Sequence, residues 1–122
     1  MPKRQLVAKE LAAVLRVIAH PDRIRIIEEL RAGECDVNSL VETLELPGPR
    51  VSQHLGLMKL HRIVEERRDG RRHFYSLIHP EIATWIVDGL LFIEGRITGL
   101  KPSDIKTARR LWSVDSPKSE KN

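Results

Sequence analysis

Apolar residues return along the first part of the chain at helical spacing. Leu6, Val7, Leu11, Val14 and Ile18, with Ala8 and Leu15 beside them, mark one stripe of a first helix. That helix should stop at His20, because Pro21 disfavours helical backbone in the residue before it. Pro21 suits the first turn of a second helix, and Asp22 complements that helix's positive end. Ile24, Ile26, Ile27 and Leu30 form its buried face, and Gly33 is its natural stop. Asp36 reads as the N-cap of a third helix, Val37 to about Leu44, burying Val37, Leu40, Val41 and Leu44. Leu46-Pro47-Gly48-Pro49 is a turn, and Pro49 opens a fourth helix from Arg50 to about His61. Val51, Leu55 and Met58 fall on its inner face. Two short helices across a tight turn make the helix-turn-helix pattern.

The period then changes. Ile63 to Arg68 and Arg71 to Leu77 are strand-like runs on either side of Asp69-Gly70, a strong signal for a type I′ hairpin. His79 and Pro80 open a last long helix, reaching about Gly95 or Ile97. Its apolar residues, Ile82, Trp85, Ile86, Val87, Leu90, Leu91, Phe92 and Ile93, lie nearly all round. Such a helix is buried on more than one side, and in so small a chain a second copy must supply part of the cover. Residues 1–100 are therefore expected to form a single domain, followed by a polar tail, 101–122. Within that tail Ser103 to Trp112 can form a short helix.

Composition narrows the class. A chain of 122 residues with 41% hydrophobic and 31% charged residues is a globular domain, not a disordered or fibrous one. Aromatics reach only 4%, so aliphatic side chains build the core. A single cysteine excludes an internal disulfide framework and any cysteine-rich zinc module. Ile82 to Ile93 is too short to cross a bilayer and carries Asp88. Lys9, Glu10 and Arg16 interrupt the region where a signal peptide needs an apolar run, so a cytoplasmic location is expected. Residues 50–73 hold seven basic and three acidic side chains, which alone accounts for the whole chain's net charge of +4. A polyanion is the natural partner of such a stretch.

Three phrases carry a resemblance: Ala19-His20-Pro21-Asp22-Arg23-Ile24-Arg25-Ile26-Ile27, Val51-Ser52-Gln53-His54-Leu55, and Arg67-Arg68-Asp69-Gly70-Arg71-Arg72-His73-Phe74-Tyr75. Over roughly residues 6–97 the chain resembles the ArsR/SmtB family of dimeric winged-helix transcription repressors. The resemblance implies a mainly α fold with a small β-hairpin wing (α+β), a winged helix-turn-helix that is homodimeric. It implies a recognition helix in each major groove of double-stranded DNA, each wing near the backbone, and an inducer that lowers operator affinity. The family's familiar metal sites look absent. Asp36 and Asn38 stand where two thiols would fall, and the last-helix ligand positions are His79, Glu81, Phe92 and Gly95, of which the latter two cannot ligate. No metal and no cofactor are expected. Gly56 stands where a basic residue is common, and Arg62 where a glycine often ends the helix.

The candidate DNA contacts divide by element. Gln53 points directly outward, flanked by Arg50 and Ser52. Arginine can read guanine and glutamine adenine, each with two hydrogen bonds, while serine serves a base or a phosphate. His54 lies at the edge of the inner face, as a packing residue or a phosphate donor. Lys59 and the wing residues Arg67, Arg68, Arg71 and Arg72 are candidates for backbone or minor-groove contact. Leu11, Trp85, Ile86, Leu90 and Ile93 are the expected dimer interface, on an inverted-repeat operator. Cys35, between Glu34 and Asp36, reads as a small structural residue, with a redox sensor as the alternative. A sequence-specific dimeric repressor leads. The alternatives are a regulator answering to oxidation or to a small molecule at the dimer interface, and a winged-helix protein-binding module. No nucleophile–base pair, phosphate loop or metal motif supports an enzyme.

Overall fold

In the computed structural model, which describes residues 2–93, 96 and 102–113, the chain opens with helix α1, Pro2–Ile18. Only its last turn enters the core, through Val17 and Ile18; Leu6, Val7, Leu11 and Leu15 stay exposed. The chain breaks at Ala19 and restarts in α2, Pro21–Leu30. His20 caps this helix in extended backbone, its Nδ1 accepting the Asp22 N–H at 3.1 Å. A two-residue strand, β1, Cys35–Asp36, leads into helix α3, Val37–Leu44. That helix starts at the expected cap: an Asp36 side-chain oxygen accepts the Ser39 N–H at 2.8 Å. Glu45 ends it in left-handed backbone, φ 55°.

Helix α4 runs Gly48–Leu60, two residues earlier than the periodicity places its start, because Pro47 already sits at the cap and its carbonyl accepts from Arg50 and Val51. At its other end Arg62 takes the left-handed conformation, φ 59°, that glycine usually fills there. Two backbone bonds close the turn, Ile63 N–H to the Met58 carbonyl and Arg62 N–H to the Lys59 carbonyl. That pair is the Schellman closure. An arginine holds the position at a cost of roughly 1–2 kcal/mol, which the closure and burial of Ile63 oppose.

The wing differs from expectation in two details. Strands β2, Val64–Asp69, and β3, Arg72–Leu77, pair antiparallel with Asp69 opposite Arg72. The two turn residues are therefore Gly70 and Arg71, not Asp69 and Gly70. Only Gly70 has positive φ, at 62°, the pattern of a type II′ turn, whose first central position favours glycine. The second difference is β1 itself, which pairs with β3 through Cys35–Tyr75 and Asp36–Phe74. Two residues carry no alternation, so nothing local announces that strand.

The core is aliphatic, as composition requires. Ile26, Ile27 and Leu30 of α2 meet Leu40 and Leu44 of α3, Val51, Leu55 and Met58 of α4, and Val64 and Leu77 at the wing's base. Helix α5, Glu81–Gly89, adds Ala83 and Val87. The expected long helix changes to a 3₁₀ turn at Leu90–Ile93, and its continuation to Gly95 or Ile97 falls partly outside the described residues. Helix α6, Pro102–Ser113, realises the short helix of the tail, and Arg31 Nη2–H ties it to α2 through the Leu111 carbonyl at 2.7 Å. Among the described residues no helix is long and apolar enough to cross a membrane.

Candidate nucleic-acid interface

Helix α4 is anchored so firmly that its outward face is determined. Val51, Leu55 and Met58 are fully buried, which turns Arg50, Ser52 and Gln53 to the surface at the helix start. Gly56 is exposed on the same helix, with open space where a Cβ would be, so no packing within the chain requires glycine there. A cleft of about 340 Å³ separates this helix from the wing. Ser52, Arg71 and Arg72 line it together with Asp36 and Asn38.

Of the two roles expected of His54, packing residue or phosphate donor, its surroundings fit the first. It is buried, and both ring nitrogens are engaged inside the protein. Nδ1 accepts the Arg23 Nε–H at 3.2 Å, so the proton sits on Nε2, which donates to Asp22 Oδ2 at 3.2 Å. The same oxygen receives Arg50, from Nε at 2.8 Å and from Nη2 at 2.7 Å. Burial raises the Asp22 carboxyl, but the His54 hydrogen bond and the Arg50 charge outweigh it and leave the group below its ordinary range. His20 stacks at a tilt on His54, ring centroids 4.5 Å apart.

The possible ligand atoms of His20, Asp22 and His54 lie within 4.8 Å of one another, close enough for a metal ion. Their hydrogen bonds do not fit one. A metal-bound imidazole carries a proton on its other nitrogen and donates it outward. Here both Nδ1 atoms accept, from the Asp22 N–H and the Arg23 Nε–H, and Arg50 already neutralises the carboxylate. The cluster is built as a hydrogen-bond network.

Burial, more than any charge, holds the His54 imidazole below the usual histidine range, against the opposing pull of Asp22. The fold thus favours the neutral ring, while an unfolded chain takes up the proton near pH 6.5. The stability His54 contributes is complete above that pH and is lost as pH falls through the lower folded-state value. Melting temperature should therefore fall as pH is lowered from neutral through the ordinary histidine range and below it, and His54→Gln should show a shallower drop. Equal slopes for the two proteins would remove His54 as the source.

Two of the wing's arginines are held closely by acids. Arg67 forks onto Glu34, Nε at 2.9 Å and Nη2 at 2.7 Å, and Arg72 Nη2 meets Asp36 Oδ2 at 2.7 Å. Both guanidinium groups lie over the Phe74 ring, 4.5 and 4.8 Å from its centroid. Glu66 gathers Lys59 at 2.8 Å, the His73 Nδ1–H at 2.6 Å and, more loosely, Arg68 at 3.7 Å. Hydrogen bonds from Lys59 and His73 lower its carboxyl to about 2; Arg72 and Ser39 do the same for Asp36, also to about 2. Arg68 and the turn residue Arg71 are the least constrained cations: Arg68 meets Glu66 only at 3.7 Å with its side chain 70% exposed, and Arg71 makes no ion pair among the described residues. Sequence reasoning found the cations but missed Asp22, Glu34 and Glu66 as their partners. Asp22 carried only a helix-end signal, and nothing in the spacing links it to Arg50.

α1, α5 and the 3₁₀ turn after it share an apolar surface. Leu15 and Ile18 face Trp85, Ile86, Leu90 and Ile93 across a groove of about 680 Å³. Leu11 is 44% exposed and Trp85 50%. Cys35 is buried, its thiol directed at the Glu29 and Gly33 carbonyls at 3.5 and 3.8 Å.

Comparison with known proteins places this geometry. Residues 20–66, from the cap of α2 into β2, match the model of the bacterial regulatory protein, arsR family. The chain is 32% identical over 109 residues to the HTH-type transcriptional regulator KmtR of Mycobacterium tuberculosis, covering 89% of this chain and 83% of that one. It is 34% identical over 86 residues to the biofilm growth-associated repressor of Agrobacterium fabrum, covering 70% and 74%. Among solved structures, NolR from Sinorhizobium fredii superposes with TM-score 0.66 at 28% identity, over 78% of this chain and 94% of that one. The transcriptional repressor BigR from Xylella fastidiosa gives TM-score 0.65 at 30% identity, over 75% and 93%.

Proposed function

Because the chain belongs to the arsR family of bacterial regulatory proteins, we propose that its winged-helix fold works as a homodimeric repressor on an inverted-repeat operator. It is a DNA-binding transcriptional repressor, the class of its relatives. The observation that supports the finer reading is the shared cleft, lined by Ser52 near the start of α4 and by Arg71 and Arg72 of the wing. Arg50, Ser52 and Gln53 enter the major groove and read base edges, as side chains at the start of a recognition helix do. Lys59, Arg67, Arg68, Arg71 and Arg72 meet the phosphate backbone. His54 contributes by holding Asp22, not by touching DNA.

Residues 1–100 form the DNA-binding and dimerising unit in this reading, and α6 belongs to an appended tail. Two copies joined through the α1–α5 surface, with Leu11, Trp85, Ile86, Leu90 and Ile93 inside, set their recognition helices roughly 34 Å apart, one turn of DNA. The buried Cys35 thiol supports its reading as a structural residue over a redox sensor.

Selection of bound duplexes from a random library tests the reading. An inverted repeat should emerge, with half-sites about one helical turn apart and affinity falling steeply with salt. Recovery of no common sequence, with equal affinity for scrambled DNA, would refute it.

A further inference from the structure

We propose that Asp22 is a positioning residue for base reading: it holds the Arg50 guanidinium so that its outer edge is presented to a guanine. The inference rests on Arg50 meeting a base edge, as proposed above. Asp22 Oδ2 takes the inner edge of that guanidinium, Nε at 2.8 Å and Nη2 at 2.7 Å. An arginine has a second edge, formed by Nη1 with the remaining N–H of Nη2, and this pair of donors matches O6 and N7 of guanine. The Arg50 side chain is 53% exposed while that of Asp22 is 11% exposed, so the acid lies beneath and the fork remains outside.

Asp22 is itself held in place. His54 donates to it from Nε2, Arg23 fixes the His54 ring through Nδ1, and Arg23 Nη1 is anchored on the Val17 carbonyl at 2.6 Å. A hydrogen-bonded chain thus runs from the last turn of α1 to the start of the recognition helix. A free arginine loses rotamer freedom when it docks on a base, and an arginine already held loses less. The same carboxylate repels phosphates, so it lowers affinity for any duplex while sharpening the choice among them. Position and charge here favour discrimination over total affinity.

The test uses the duplex selected by the wild-type protein and the set of its single-base-pair variants, with fluorescence anisotropy as the readout. Arg50→Ala first identifies the base pair whose guanine preference depends on Arg50. At that pair Asp22→Asn should reduce discrimination about two- to tenfold, while affinity for scrambled DNA holds or rises. In the Arg50→Ala background Asp22→Asn should change discrimination no further. Asp22→Ser provides a second variant should the asparagine protein fail to fold, since serine is well accepted in a first helical turn and cannot hold the guanidinium edge.

Equal weakening on every duplex would reduce Asp22 to a structural residue and overturn the inference. Tighter binding to the selected duplex with discrimination intact would overturn it too, making Asp22 a competitor of DNA. If Arg50→Ala leaves every base preference unchanged, the reading of Arg50 fails first. If Arg50→Ala matters and neither Asp22 variant does, this inference alone fails.

Discussion

Replacing Leu11 and Trp85 together by glutamate should yield a monomer whose affinity for the full operator is lower by about a hundredfold or more. Both residues are about half exposed; Trp85 lines the groove between α1 and α5, and Leu11 lies one helical turn before Leu15, which lines it from the α1 side. Phe92, 81% exposed at the end of that groove, extends the same surface. Single protein chains rarely leave so large an apolar area uncovered, and in the proposed dimer a two-fold partner would cover it with the same residues. Glutamate at the centre of such an interface would bury charge without a counter-ion, a loss of several kcal/mol. Each remaining monomer keeps its recognition helix intact, so binding to a single half-site should hardly change. The large loss comes from separating two linked binding events. Sedimentation velocity at micromolar concentration, with affinity measured on full and half operators, decides the matter. A wild-type monomer, or a double variant that stays dimeric, would defeat the proposed interface.

The second large effect separates helix from wing. Arg50→Ala or Gln53→Ala should weaken the selected operator by about 1–3 kcal/mol for each base no longer read, and relax preference at particular base pairs. Arg68→Ala or Arg71→Ala should weaken all duplexes alike. For each phosphate no longer neutralised, the slope of log affinity against log salt should become shallower by about 0.9. Arg68 and Arg71 are chosen because they are the least constrained cations of the wing, Arg68 meeting Glu66 only at 3.7 Å, whereas Arg67 and Arg72 hold Glu34 and Asp36 at 2.7 Å. Removing Arg67 or Arg72 also leaves Glu34 or Asp36 without its arginine partner beside the proposed DNA surface, so those variants should lose more affinity than a single phosphate accounts for. Salt titration of each variant on selected and scrambled duplexes measures both quantities. If wing variants weakened only the selected site while helix variants weakened both equally, the two roles would be exchanged.

Much of the frame was legible because its signals are local. Pro21 and Asp36 mark helix starts through backbone constraint and side-chain capping within three residues. Val51, Leu55 and Met58 share a face by the helical repeat, and the same repeat turns Arg50, Ser52 and Gln53 outward. The hairpin was visible at Gly70, although pairing moved the turn by one residue; a glycine allows positive φ without specifying which central position it fills.

What lay beyond the sequence depends on interactions between distant segments. Strand β1 exists only because β3, far along the chain, offers it a partner. Helical angle puts His54 at the edge of the inner face, yet its ring turns inward because Asp22 and Arg23 on α2 supply partners for both nitrogens. The pairing of wing cations with acids was equally hidden: composition counts charges, but packing decides which ones meet. By itself the sequence determined where most helices start, that a hairpin follows them, and where the basic residues cluster along the chain, since backbone preference and apolar period act over a few residues. The tertiary structure alone decided which carboxylate holds Arg50, because that choice follows from how α2 and α4 pack.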